Sequence, residues 1–113
     1  MILMTTITLY QNKHHEFEGF DVNGHADYAR YGEDILCSAI SMLVINTINS
    51  IARFTEDKTS CVSNEDEGSI VFRFTSNMSH DAQLLVKSMI LGLESLKDDK
   101  EYGTYMDIII KEV

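Results

Sequence analysis

Cys37 and His25, twelve residues apart, are the pair of side chains in this sequence best suited to covalent chemistry. A thiolate attacks a carbonyl, and an imidazole that titrates near neutrality can take the thiol proton and later return it to a leaving amine. They lie in the segment Gly24-His25-Ala26-Asp27-Tyr28-Ala29-Arg30-Tyr31-Gly32-Glu33-Asp34-Ile35-Leu36-Cys37-Ser38-Ala39-Ile40-Ser41. Apolar residues start to recur just after Asp34, which predicts Asp34 as a helix N-cap and Cys37 as the third helical residue. There, free backbone N–H groups and the positive end of the helix dipole favour a thiolate and could hold a tetrahedral oxyanion. The intervening loop is long enough to bring His25 back over the helix end. Ser41, one turn beyond Cys37, shares its face and is a candidate positioning group. Plainer roles compete: a small buried apolar thiol, a surface histidine, a cap with no other duty, a serine at a packing contact. Spacing alone favours those.

The elements that must position these groups follow from periodicity. Leu3, Thr5, Ile7 and Leu9 alternate with Met4, Thr6, Thr8 and Tyr10 as a strand over residues 2–11, and a run over 16–23 returns antiparallel after the polar turn at Asn12-Lys13-His14-His15. Residues 24–32 are glycine-bracketed loop. Ile35, Leu36, Ala39, Ile40, Leu43, Val44, Thr47, Ile48 and Ile51 recur at helical steps. A second hairpin is predicted over 59–63 and 69–74, then a helix capped by Ser79 with Leu85, Val86, Met89, Ile90, Leu93 and Leu96 as its stripe, then a strand over 104–112. The order ββαββαβ predicts an α+β two-layer sandwich, with two helices on one face of a mainly antiparallel sheet. The other face is then solvated or covered by a second subunit, and a homodimer is the expectation.

Residues 1–113 read as a single domain, without a linker-like stretch. Eighteen acidic residues against nine basic ones give a charge of −9, and the basic residues are scattered, which argues against direct nucleic-acid binding. The acidic field would speed encounter with a basic polypeptide, although solubility is its simpler use. No leader-like start and no segment of membrane-spanning length is evident, so a cytoplasmic location is expected, with no membrane partner. No metal or cofactor is expected. His14 and His15 read as turn residues, Cys61 as a packed strand residue, and the acidic stretch 64–67 as a solvated turn lacking a calcium-loop pattern. The 24–32 loop lacks the lysine and following hydroxyl of a phosphate loop.

The joint pattern Gly-His-Ala, a short glycine-containing loop, then Asp-Ile-Leu-Cys-Ser-Ala-Ile-Ser resembles the ribosomal-processing cysteine proteases, and the likeness runs along the whole chain, including Ala82-Gln83-Leu84-Leu85 and Leu91-Gly92-Leu93. The resemblance implies a homodimeric peptidase with Cys37 as nucleophile and His25 as base and acid. It also implies a substrate: the basic precursor of large-subunit ribosomal protein twenty-seven, trimmed of a short N-terminal extension between aromatic residues and a small one. The family's conserved Asp and Ser fall on Asp34 and Ser41, while Asp27 and Ser38 stand where Gly and Ala are more usual. Tyr28 and Tyr31, with Gly24 at the loop entrance, are the expected substrate contacts, and closure of the loop over a bound peptide would assemble the dyad. The competing possibilities are a non-catalytic dimeric acidic module that binds a basic ribosomal protein or assembly factor, and a small-molecule acyl hydrolase.

Overall fold

Alternating and helical periodicities can both be satisfied when strands share one layer and the apolar stripes of the helices face it. The computed structural model describes residues 4–24, 31–64 and 68–113, with residues 31–34 described by their backbone alone. The order is β1 (Thr5–Gln11), β2 (Phe17–Asn23), α1 (Tyr31–Phe54), β3 (Thr59–Asn64), β4 (Ser69–Phe74), α2 (His80–Asp98), a 3-10 turn (Tyr102–Tyr105) and β5 (Met106–Glu112). Among the described residues the sheet has five strands in the order β3-β4-β2-β1-β5. β1 pairs with β2, β2 with β4 and β3 with β4, all antiparallel, while β1 and β5 are parallel. This is the expected α+β sandwich.

The register sets which side chains meet. Ile7 stands opposite Val22, Leu9 opposite Phe20 and Phe20 opposite Phe72, and all five are buried under the helices. The Phe20 and Phe72 rings stack with centroids 4.8 Å apart. From α1 come Leu36, Ile40, Val44 and Ile51, and from α2 Val86, Met89 and Leu93, none more than 2% exposed. Each such side chain contributes about 1.5–3 kcal/mol by leaving water. The cap foreseen for α2 forms, with Ser79 Oγ accepting from the Ala82 N–H at 3.1 Å.

Three expectations change. First, α1 begins at Tyr31, so Asp34 is not its N-cap but lies inside the first turn, and Cys37 is the seventh helical residue instead of the third. Apolar periodicity reports the buried face of a helix, and a polar first turn leaves no trace in it. Second, the 20 residues Ile35–Phe54 do reach the length and composition of a membrane-crossing helix, although their apolar stripe packs on the sheet. Third, the last strand starts at Met106 and not at residue 104. Asp99 Oδ1 accepts from the N–H groups of Glu101 and Tyr102. Lys97 Nζ donates to the carbonyls of Gly103 at 2.9 Å and Met106 at 2.8 Å. Together these bonds wind the preceding residues into the 3-10 turn.

A buried amide ties the layers together. Gln83 of α2 is 8% exposed, and its side chain accepts from the Phe17 N–H and donates to the Phe17 carbonyl, both at 2.8 Å. Replacing it with leucine keeps the volume but strands two buried backbone groups at the head of β2. At ~1–3 kcal/mol for an unsatisfied buried group, Gln83→Leu is expected to lower stability by about 2–4 kcal/mol in denaturant titration. A loss below ~0.5 kcal/mol would mean water replaces the amide.

On the sheet face away from the helices, Tyr10 donates to Asp21 at 2.7 Å and Arg73 pairs with Asp21 at 2.7 Å. The Arg73 guanidinium also lies 4.2 Å from the Tyr10 ring centre. Burial alone would raise the Asp21 carboxyl, but the hydrogen bonds from Arg73 and Tyr10 outweigh it and hold the group below the usual carboxylate range.

Candidate active site

One end of the sheet gathers the start of β1, the end of β2 and the turn before β4. The N-terminal half of α1 lies over that end. Cys37, half-buried on α1, faces β1, with its Sγ 3.8 Å from Thr5 Oγ1. The pocket beside the sulfur measures about 70 Å³ and is lined by Thr5, Val22, Gly24, Cys37, Ile40, Ser41 and Gly68. That is room for a group the size of about two water molecules.

Gly24 is at this point because nothing larger fits. An added Cβ would lie 2.7 Å from Thr5 Oγ1 and 3.0 Å from its Cγ2. Its N–H donates to the Gly68 carbonyl at 3.0 Å, and Gly68 turns through a φ of 63°. The glycine therefore closes the pocket wall and leaves the Thr5 side chain in contact with the thiol.

Of the residues singled out in the sequence, Cys37, Gly24 and Ser41 line this one pocket. Ser41 is exposed at the pocket rim. His25 and Tyr28 lie outside the described residues, as do the side chains of Tyr31 and Asp34, and the expected loop closure rests on the same segment. The later position of Cys37 changes its electrostatics. A helix leaves free the N–H groups of its N-cap and first three residues, here as far as residue 33, one turn before the thiol. The N–H of Cys37 itself belongs to the helical ladder, and the dipole weakens beyond the first turn. The expected oxyanion donors are therefore not the N–H groups at Cys37.

Beyond the pocket a larger groove follows α1. It measures about 440 Å³, with Ile40, Ser41, Val44, Ile45, Ile48 and Asn49 on the helix side and Cys61, Ser63 and Ile70 on the strand side. It exists because the two helices do not reach over the edge strand β3, whose residues are almost all exposed. Cys61, expected to be packed, is instead exposed there. Its sulfur rests partly against the groove wall, and that desolvation pushes the thiol up. Sequence reasoning missed the groove and Thr5. A hydroxyl on a strand face otherwise carrying Ile7 and Leu9 was the available signal for the latter.

A half-buried thiol on a two-layer α+β sandwich, lining a small pocket that shares residues with a larger groove, fits a thiol hydrolase. The profile of the cysteine protease Prp family matches residues 4–107. Ribosomal processing cysteine protease Prp of Bacillus subtilis is 29% identical over 84 residues, covering 71% of this chain and 75% of that protein. Its namesake from Staphylococcus aureus is 24% identical over 96 residues, covering 85% and 91%. The crystal structure of S. aureus Prp in complex with a substrate peptide superposes with a TM-score of 0.87 at 23% identity, over 96% of this chain and all of that one. The chain belongs to the family of ribosomal processing cysteine proteases. It is a cysteine protease, and the reading as a non-catalytic module falls away.

Proposed function

We propose that the protein removes a short N-terminal extension from the precursor of large-subunit ribosomal protein twenty-seven, with Cys37 as nucleophile and His25 as its general base and acid. The observation that carries this reading is the continuity of pocket and groove: Val22, Ile40, Ser41 and Gly68 line both. From Cys37 to Ile48 the helix rises about 17 Å, the length of roughly five extended residues. A peptide with its scissile carbonyl at Cys37 would lay apolar side chains on Ile45, Ile48 and Ile70. His25 follows directly on Gly24, which lines the same pocket, and this supports its pairing with the thiol. The charge of −9 favours encounter with a basic ribosomal protein. We place the reaction in the cytoplasm and assign it to a homodimer, a reading supported by the exposed Val62, Val71 and Ile109 on the open face and outer edge of the sheet.

Incubating the purified protein with the precursor and weighing the products tests the assignment. A single cut that removes the N-terminal extension is expected, and an uncut precursor would refute the substrate. The groove is tested by Ile45→Arg. Ile45 is 48% exposed, so the fold should tolerate arginine. Groove contacts made equally in ground and transition states set KM and not kcat. We expect KM to rise about tenfold, the worth of one lost apolar contact of ~1.4 kcal/mol, with kcat little changed. An unaltered KM would remove the groove from substrate binding.

A further inference from the structure

Thr5 is 6% exposed, on the helix side of β1, where its inward neighbours Ile7 and Leu9 are fully buried aliphatics. Valine would fill that position as well, so packing gives no reason for a hydroxyl. Among the described residues, the hydrogen-bond contact of Thr5 Oγ1 is to Cys37 Sγ, at 3.8 Å. The side chain has little freedom. A β-branched residue is stiff at χ1, its backbone is held in the sheet beside Met106, and Gly24 closes the space on the other side.

We propose that Thr5 is a positioning residue for the nucleophile: its hydroxyl donates to the Cys37 thiolate and holds the sulfur at the mouth of the small pocket. This rests on Cys37 being the nucleophile. A thiol is a weak donor and a weak acceptor, whereas a thiolate accepts only, so ionisation fixes the direction of the bond and strengthens it. The contact therefore favours the reactive form. It provides from the sheet what the helix N-terminus, one turn away, provides only weakly.

The test uses the Cys61→Ser protein, so that Cys37 carries the remaining thiol. Alkylation by iodoacetamide is followed against pH for the parent, Thr5→Val and Thr5→Ser, alongside kcat and KM on the peptide substrate and a thermal melt. In Thr5→Val the alkylation midpoint should move about one pH unit upward and kcat should fall roughly tenfold, the equivalent of one modest hydrogen bond, with KM unchanged. Thr5→Ser should restore both. An unshifted profile with parental kcat in Thr5→Val would overturn the proposal, as would equal impairment of the serine and valine variants. A Thr5→Val protein that unfolds would also count against it, because the argument requires valine to fit. The alkylation arm reads the sulfur directly, so it stands apart from any failure of the proteolysis assignment, which Cys37→Ala decides.

Discussion

Replacing Cys37 with alanine is expected to leave a folded protein that no longer cuts peptide. Alanine is the best helix former, and a half-buried sulfur on α1 leaves little cavity when removed. The chemistry has no such tolerance. Loss of a covalent nucleophile removes the whole acyl-enzyme route, and a fall of ~10³-fold or more in kcat/KM is the usual scale. His25→Ala should fall comparably, because groups that act as one unit fail together. Cys61→Ser is the control. Cys61 is exposed on the edge strand, on the wall of the larger groove and outside the lining of the small pocket, and its thiol is pushed up by that partial burial, so a serine there can touch KM but not the chemical step. Its loss should leave kcat within about twofold of the parent, the spread expected of a surface change under ~0.5 kcal/mol. Peptide-cleavage kinetics with parallel thermal melts separate these outcomes. Cleavage surviving in Cys37→Ala, or a kcat lost at saturating substrate in a folded Cys61→Ser, would show that the nucleophile had been misassigned.

How much of this could be read in the sequence depended on whether the signal was local. β4 alternates Ile70, Phe72 and Phe74 between turn residues and was legible in full, as was the Ser79 cap, because both are statements about neighbours in the chain. The start of α1 was not, since a polar first turn carries no apolar period and Asp34 imitated a cap. Gln83 looked like one more polar residue until β2 placed the Phe17 backbone against it, 66 residues away in sequence. Thr5 and Cys37, 32 residues apart, meet only through the packing of α1 on β1. The groove is a property of two elements, the stripe of α1 and the uncovered edge of β3, and neither sequence segment reports on the other. What the motif supplied was the proposed nucleophile and the glycine that lines its pocket. Their surroundings needed the tertiary fold.

Gly24→Ala should impair catalysis far more than a single added methyl suggests. The new Cβ would lie 2.7 Å from Thr5 Oγ1, 3.0 Å from Cγ2 and 3.2 Å from its Cβ. Retreat is restricted on both sides, because the Gly24 N–H is held by the Gly68 carbonyl and the Thr5 backbone is paired with Met106. The threonine side chain must therefore yield, towards the thiol or away from it, and either movement alters the contact that sets the sulfur. Misplacement of a reacting group by about 1 Å costs ~10²-fold, and overpacking of this kind costs ~1–3 kcal/mol of stability. We expect kcat/KM to drop about a hundredfold, with a lower melting temperature. The decisive variant is the double substitution Gly24→Ala with Thr5→Ala, which deletes the two atoms that the new methyl meets first. If Gly24 acts by making room for Thr5, the double variant should be more stable than Gly24→Ala and no less active than Thr5→Ala alone, a strong coupling between neighbours. If the two losses multiply instead, the glycine is needed for close approach of the substrate backbone, and its role would move from the threonine to the peptide.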